Sequence, residues 1–144
     1  MKGVDDPVTQ ADINAQKSIN ATLSLHFPGI WICGEEEVKF EESDIIQGVN
    51  IDLIPANLLP EDIRQIDLEE ITIWVDPLDG TKNFVKGDVL GVTSIIGICR
   101  AGRPILGIIH HPFDEAKPTY YGGPGFPIRK TCNAYQEIGE EVEK

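Results

Sequence analysis

Apolar positions recur every fourth residue near the start of the chain, in the segment "TQADINAQKSINATLSLHF", residues 9–27. The members of this repeat are Ala11, Ala15, Ile19, Leu23 and Phe27. The spacing suits one face of an α-helix, although most odd-numbered positions are also apolar and a strand fits the pattern nearly as well. The run is too long for a typical strand and contains no Pro or Gly. We therefore predict a helix that Pro28-Gly29 ends.

Four short apolar runs, rich in β-branched residues, predict strands. They are "IWIC" (residues 30–33), "ITIWV" (71–75), "VTSIIGIC" (92–99) and "ILGIIH" (105–110). The last two runs flank the turn-like stretch "RAGRP", and together they predict an antiparallel hairpin.

The remaining segments have no clear periodicity. Residues 38–70 are acidic and interrupted by Gly and Pro, which predicts a long excursion with a short helix near "PEDIRQI", residues 60–66. Beyond Phe113 the chain is broken by Pro and Gly, and we expect residues 114–144 to form an irregular tail. The order helix, strand, excursion, strand and hairpin predicts a layered α+β architecture in residues 1–113.

Length and composition are those of a soluble globular protein. The chain has 144 residues, enough for one domain or part of one, with 41% hydrophobic and 25% charged residues. No apolar run approaches the roughly 20 residues that span a bilayer, and the first residues do not resemble a signal peptide. Cys33, Cys99 and Cys132 lack the paired spacing of metal ligands, which favours reduced thiols in a cytoplasmic protein.

The net charge of −12 changes the range of partners. A nucleic-acid polymer or an acidic membrane would need a basic surface, so we expect neither as a partner. A small phosphorylated substrate stays possible, because a bound divalent cation can reverse the sign of the field at a site.

The densest candidate chemistry follows the strand "ITIWV", where "DPLDGT" begins. We expect a proline-constrained turn to bring Asp79 back beside Asp76. Two adjacent carboxylates repel, and a cation such as Mg²⁺ would remove that conflict, with the Leu78 carbonyl as a further oxygen ligand. Gly80-Thr81 then opens one turn of helix, whose free N–H groups suit a phosphate. The alternative is an Asp-Pro turn in which Asp79 merely caps that helix.

Two acidic residues elsewhere have competing explanations. Glu35 follows Gly34 at the end of the predicted strand "IWIC", so it repeats the arrangement of strand and then ligand. A run of three glutamates is more often a solvated surface. Asp12 matches a helix capping box with Thr9, in which it would only bond the backbone at the helix start.

In this order, "VTQAD", "FPG…GEEE" and "WVDPLDGT" resemble the motifs of the lithium-sensitive, magnesium-dependent phosphatase superfamily typified by inositol monophosphatase. The resemblance implies a layered α/β sandwich with a mixed sheet and a site of two or three Mg²⁺ ions. The implied ligands are Glu35, Asp76, the Leu78 carbonyl and Asp79. Asp12 and Thr81 would activate the attacking water, and the backbone of Gly80 and Thr81 would hold the scissile phosphate.

Within that superfamily, "GEEE", the acidic excursion and "WVDPLDGTKNF" look most like 3′(2′),5′-bisphosphate nucleotidases. The implied reaction is hydrolysis of the 3′-phosphate of adenosine 3′,5′-bisphosphate. An inositol polyphosphate 1-phosphatase or an inositol monophosphatase-like enzyme is the nearest competing interpretation. A remnant that binds metal or a partner without catalysis is the alternative from another functional class.

The sequence departs from the family pattern at both ends. It starts almost on the first motif, and its tryptophans, Trp31 and Trp74, are not followed by the aspartate of the family's Trp-Asp metal motif. We therefore expect an amino-terminal portion of such an enzyme, weakly active or inactive by itself.

The other candidate residues have weaker signals. Adjacent histidines at a strand end point to opposite faces, so we expect structural roles for His110 and His111. Four cationic residues could attract phosphate, although ordinary surface solubility explains them equally well. They are Lys82, Lys86, Arg100 and Arg103.

Overall fold

The computed structural model describes residues 8–49, 61, 66–132 and 140–142. Its helices are α1 (Gln10–His26) and α2 (Thr81–Lys86), with single 3-10 turns η1 (Glu42–Asp44) and η2 (Leu68–Glu70). Its strands are β1 (Trp31–Gly34), β2 (Ile71–Asp79), β3 (Thr93–Arg100), β4 (Arg103–His110), β5 (Pro118–Gly123), β6 (Phe126–Cys132) and β7 (Glu140–Glu141). In the part of the chain that the structure describes, the strands form one sheet in sequential order from β1 to β7.

Helix α1 confirms the prediction from the fourfold repeat, within one residue at each end. It packs on one face of the sheet, where Ile19 and Leu23 contact a buried cluster from β2. The β2 members of that cluster are Ile71, Ile73 and Val75. In the first two turns of α1, however, the fully buried side chains are polar: Asp12 and Gln16. The predicted apolar stripe therefore holds only for the second half of the helix.

The sheet is mixed, as the family resemblance implied. Strand β1 pairs parallel to β2, and all the other pairs are antiparallel. A parallel pair cannot be joined by a tight turn, and the long segment between β1 and β2 supplies the crossover. The predicted hairpin is present as β3 and β4, with Arg100 paired to Arg103 at its turn.

The tail prediction is wrong for β5, β6 and β7, which continue the sheet beyond residue 113. The glycines that suggested a break are what allow β5 to pair closely. A Cβ on Gly123 would lie 2.1 Å from the Ile105 carbonyl oxygen, and one on Gly122 would lie 2.9 Å from Ile128 Cα. Glycine in a strand can thus mark a close approach between backbones rather than an irregular segment.

The excursion begins as predicted. Residues 35–49 have no regular structure apart from the η1 turn. Just after this turn, the Ile46 N–H donates a 2.9 Å hydrogen bond to Thr22 Oγ1 of α1. The helix predicted near residues 60–66 falls largely outside the described residues. Within the described residues, no helix is both long and apolar enough to cross a membrane. Cys33, Cys99 and Cys132 are free thiols.

Candidate active site

A small cavity of about 160 Å³ lies where β1 and β2 end and α2 begins. Its lining residues are Glu35, Asp76, Leu78, Asp79, Gly80, Thr81 and Lys82. All the residues predicted as metal ligands or phosphate contacts therefore share one cavity, although they come from segments far apart in the sequence. Asp12 does not line the cavity, but it contacts Thr81, which does.

A bulge in β2, rather than a turn after it, brings the two aspartates together. We expected the strand to end before Asp76, but β2 continues to Asp79. Its pairing with β3 shifts between these positions, since Asp76 faces Ile95 and Asp79 faces Thr93. Buried Pro77 lies inside the shift and has no N–H to donate to β3, which breaks the regular ladder. The Pro77 carbonyl instead accepts a 2.8 Å hydrogen bond from Ser94 Oγ.

Glu35 reaches the same place because β1 runs parallel to β2, so that both strands deliver their carboxyl ends to one edge. The Glu35 N–H donates to the Val75 carbonyl at 3.0 Å and carries the pairing one residue beyond Gly34. Its carboxyl group hydrogen bonds to that of Asp76. Glu35 is therefore part of the site rather than only a solvated surface residue.

The crowding of acidic groups perturbs Asp76. Burial, the hydrogen bond to Glu35, and repulsion by the charges of Glu35 and Asp79 raise the pKa of Asp76 to about 6. The Leu78 N–H opposes this shift by donating to Asp76 Oδ1 at 3.2 Å. A hydrogen bond between two carboxyl groups requires a shared proton, so it forms below this pKa, and the carboxyl groups repel each other once that proton is lost.

This donor set fits a hard divalent cation, because carboxylate and carbonyl oxygens are its preferred ligands and a cation would replace the shared proton. Among the residues that the structure describes, no three or more His, Cys, Asp or Glu side chains already converge as a complete metal site. Only part of the expected ligand set is therefore in mutual contact. Glu35 and Asp76 are in contact, and the Leu78 carbonyl accepts a 2.9 Å bond from Thr81 Oγ1.

Asp12 forms the predicted capping box and also contacts Thr81. Thr9 is the N-cap of α1. In the capping box the Thr9 N–H donates to Asp12 Oδ2 at 2.8 Å, and the Asp12 N–H donates to Thr9 Oγ1 at 3.4 Å. The Thr9 hydroxyl also donates to Asp12 Oδ2 at 2.5 Å. The other oxygen, Oδ1, accepts a 3.2 Å hydrogen bond from Thr81 Oγ1. Asp12 is fully buried and Thr81 nearly so, so this contact is shielded from solvent.

Asp79 does not cap α2. The N-cap is Gly80, in the left-handed conformation with φ of 91°, and no side chain caps the helix. Asp79 is exposed and accepts a long 3.4 Å bond from Thr93 Oγ1. The capping explanation of Asp79 is therefore wrong, and its carboxylate is left facing the cavity.

The other candidate residues differ in their distance from the cavity. Of the four cationic residues, Lys82 lines the cavity, whereas Arg100 forms a 2.6 Å ion pair with Glu70 at the opposite end of β2. His110 Nδ1 bonds to Thr119 Oγ1 at 2.9 Å, and His111 packs edge-on against Tyr120, which are structural contacts.

Sequence reasoning missed Gln16. This side chain is fully buried beside Gly34. The available signal was its spacing, since Gln16 lies four residues after Asp12 and so on the same helix face.

Comparisons with known proteins point to one family. The sequence matches the inositol monophosphatase family over residues 1–136. It is 38% identical over 163 aligned residues to 3′(2′),5′-bisphosphate nucleotidase 1 of Dictyostelium discoideum, covering 99% of this chain and 52% of that protein. The human protein of the same name is 37% identical over 128 residues, with 88% of this chain and 40% of that protein covered.

A solved structure extends the likeness to the fold. The extragenic suppressor protein suhB of Bartonella henselae superposes with a TM-score of 0.63 at 25% identity, over 90% of this chain and 40% of that one. The chain therefore spans about half the length, or less, of the relatives that it matches.

Proposed function

The chain belongs to the inositol monophosphatase family, and we propose that it provides the metal-binding half of a magnesium-dependent phosphomonoesterase acting on adenosine 3′,5′-bisphosphate. The observation that carries this proposal is the shared cavity of Glu35, Asp76, Leu78, Asp79, Gly80 and Thr81. Relatives that carry the name bisphosphate nucleotidase support the 3′-phosphate of a nucleotide as the bond to be hydrolysed.

Thr81 and Asp12 would handle the proton of the attacking water. The Thr81 hydroxyl lies within hydrogen-bond distance of Asp12 Oδ1 and of the Leu78 carbonyl. With its proton directed to one of these acceptors, its oxygen lone pairs can accept from a water molecule in the cavity. Asp12 Oδ1 is then the group that favours loss of a proton from the water, through the Thr81 hydroxyl.

Glu35, Asp76, the Leu78 carbonyl and Asp79 would hold Mg²⁺. A bound Mg²⁺ supplies positive charge against the phosphate oxygens and acidifies a coordinated water, as in other metal-assisted phosphoryl transfers. We propose two or three ions in the complete site. The backbone of Gly80 and Thr81, which lines the same cavity, is the proposed seat of the scissile phosphate, with Lys82 beside it as a further positive charge.

We further propose that this chain alone is a weak or inactive catalyst in the cytoplasm. The family's Trp-Asp metal motif has no counterpart among its residues, since Trp31 and Trp74 are followed by Ile32 and Val75. The chain also covers only 52% and 40% of the two nucleotidases to which it was compared.

Calorimetric titration with Mg²⁺ tests the metal site directly. The wild-type chain should release or absorb heat on binding, and Asp79→Ala should lose most of that signal. Asp88→Ala is the matched control, because Asp88 is an exposed aspartate outside the cavity and should leave binding unchanged. Equal heats from all three proteins would refute the metal site.

Phosphate release separates the substrate classes. We expect slow, Mg²⁺-dependent release from adenosine 3′,5′-bisphosphate that exceeds release from inositol 1,4-bisphosphate. The reverse preference would instead favour the inositol phosphatase alternative, and turnover at the rate of a complete enzyme would contradict the expected weakness. Mg²⁺ binding without any turnover of either substrate would favour the non-catalytic remnant.

A further inference from the structure

Gln16 carries a buried polar atom that the proposed chemistry does not use. The side chain is fully buried on α1, and its Nε2 donates to Asn20 Oδ1 at 2.7 Å. Its Oε1 has no hydrogen-bond partner among the residues that the structure describes. An apolar side chain of the same size, such as Met, would avoid the cost of burying an unpaired carbonyl, so stability alone does not explain an amide at this position.

The amide of Gln16 occupies the space that a side chain on Gly34 would need. A Cβ at Gly34 would lie 2.3 Å from Gln16 Nε2 and 2.6 Å from Gln16 Oε1. The backbone of Gly34 is not in the left-handed region, so its conformation does not demand glycine. A side chain at position 34 would therefore displace the buried Gln16 amide, and the two residues fit each other as they stand.

The contact between Gln16 and Gly34 lies at the end of β1, directly before Glu35. Gly34 is the last residue of β1, and the next N–H, that of Glu35, bonds to the Val75 carbonyl at 3.0 Å. One turn earlier on α1, Asp12 bonds to Thr81. A single face of α1 therefore contacts both segments of the site, the one that ends β1 and the one that begins α2.

We propose that Gln16 is a positioning residue, which holds the Gly34–Glu35 backbone so that the Glu35 carboxylate stays against Asp76. Replacing the planar amide with a flexible chain leaves the end of β1 free to shift and separates the two carboxyl groups. The inference rests on the proposed function for its metal readout only, because the contact between Gln16 and Gly34 can be tested in the metal-free protein.

The first test measures Mg²⁺ affinity by calorimetry in Gln16→Met and Gln10→Met. Gln10 is a matched control, since its Nε2 also bonds to an asparagine four residues later, Asn14 Oδ1 at 2.8 Å, but on the exposed side of α1. We expect Gln16→Met to bind Mg²⁺ about tenfold more weakly, the order seen when an outer-shell partner is lost, and Gln10→Met to bind like the wild type. Equal affinity in both variants, or equal loss in both, would overturn the proposal.

The second test is hydrogen exchange at the Glu35 amide without metal. Gln16→Met should exchange this N–H about tenfold faster than the wild type, whereas Gln10→Met should not change it. Unchanged exchange in Gln16→Met would refute the positioning role. A wild-type chain that binds no Mg²⁺ would refute the proposed metal site, but the exchange rates would still decide the role of Gln16.

A double-mutant cycle covers the case in which Gln16→Met does not fold. Gly34→Ala alone should be destabilised, because its new methyl group meets the Gln16 amide. Gln16→Ala removes that clash, so the loss of stability in the double variant should be smaller than the sum of the losses in Gly34→Ala and Gln16→Ala. Losses that simply add would show that the two residues are not in contact, and the proposal would be wrong.

Discussion

The candidate site has two halves, in which the carboxylates have different surroundings. The Asp12 half contains Asp12 and Thr81, and the Asp76 half contains Asp76, Glu35 and Asp79. Asp12 is fully buried, yet its oxygens accept hydrogen bonds from the Thr9 N–H, the Thr9 hydroxyl and the Thr81 hydroxyl. Asp76 is only partly buried, yet its pKa is raised to about 6 by burial and by the neighbouring carboxyl groups of Glu35 and Asp79. The two carboxylates thus differ in their partners: Asp12 accepts from amide and hydroxyl donors, whereas Asp76 lies beside other carboxyl groups.

The difference shows how stability and function are divided within one site. The Asp12 half is complete by itself and also starts α1, so it stabilises the fold. The Asp76 half keeps a repulsion that the protein does not resolve, which is favourable only when a cation binds. Sites that retain such a conflict lower the stability of the free protein in favour of binding.

The largest expected effect is on the Asp12 half. Asp12→Ala removes the capping box and leaves the buried Thr81 hydroxyl with one acceptor fewer, so we expect the free energy of unfolding to fall by about 3 kcal/mol. Asp44→Ala is the control, because Asp44 forms a similar capping box with Glu41 at the exposed η1 turn. Urea denaturation should show a loss below about 1 kcal/mol for that variant. Similar losses in the two variants would mean that the second contact of Asp12 contributes nothing.

The next effect is the pH dependence of Mg²⁺ binding by the Asp76 half. Mg²⁺ must displace the proton from Asp76, whose pKa of about 6 lies well above that of an ordinary aspartate. Apparent affinity should be constant above about pH 7 and fall by about tenfold per pH unit below pH 6, for one displaced proton. Titrations in buffers of different ionisation enthalpy should detect proton release near pH 6. Affinity that is flat between pH 5 and 7 would contradict the shared proton.

A smaller effect of opposite sign is expected when Asp76 itself is changed. Because the pKa is raised in the folded state, Asp76 contributes stability only at low pH and loses it as the pH rises through 6. Asp76→Asn should therefore raise the free energy of unfolding at pH 7.5 by about 1 kcal/mol, after allowance for solvent screening of a partly exposed group. The gain should fade near pH 4, where the wild-type carboxyl is protonated.

Asp76→Asn should also bind Mg²⁺ poorly. Higher stability together with weaker Mg²⁺ binding in one variant would show directly that the Asp76 half is arranged for binding rather than for stability. Thermal denaturation without Mg²⁺ gives the stability, and calorimetry gives the affinity. An Asp76→Asn protein that is less stable than the wild type at pH 7.5 would show that the carboxyl cluster stabilises the metal-free fold.

The smallest effect is expected where a carboxylate already has a cation from the protein. Glu70 is paired with Arg100 at 2.6 Å, and both side chains are exposed by more than 40%. Glu70→Gln should cost at most about 0.5 kcal/mol, because exposed ion pairs contribute little. Its Mg²⁺ affinity should equal that of the wild type. A loss of Mg²⁺ binding in this variant would show that overall negative charge, rather than the cluster, attracts the ion.

The local parts of the site were accessible from sequence. An apolar strand that runs into acidic residues is a pattern of neighbouring positions, and it pointed to Glu35, Asp76 and Asp79, although Asp76 lies within β2 rather than after it. The helix α1 and the hairpin of β3 and β4 follow equally from local periodicity. The bulge in β2 was not foreseen, because Pro77 was interpreted as a turn residue when it lies within a strand.

The parts that depend on packing were not accessible in the same way. Thr81 and Asp12 are 69 residues apart, and only the fold shows that the aspartate of the capping box also contacts Thr81. The close fit of Gln16 to Gly34 joins a helix to a strand end, so neither segment reveals it alone. Strands β5 and β6 were missed because Gly and Pro were taken as breaks, whereas Gly122 and Gly123 allow the neighbouring backbones to approach.

Because one aspartate both starts the first helix and contacts the proposed nucleophile-orienting threonine, selection acting on either property preserves the other. A related chain without catalytic activity would still be under pressure to keep Asp12 for folding. Retention of this residue in a related chain is therefore poor evidence of activity, and the carboxylates at positions 35, 76 and 79 are the better diagnostic.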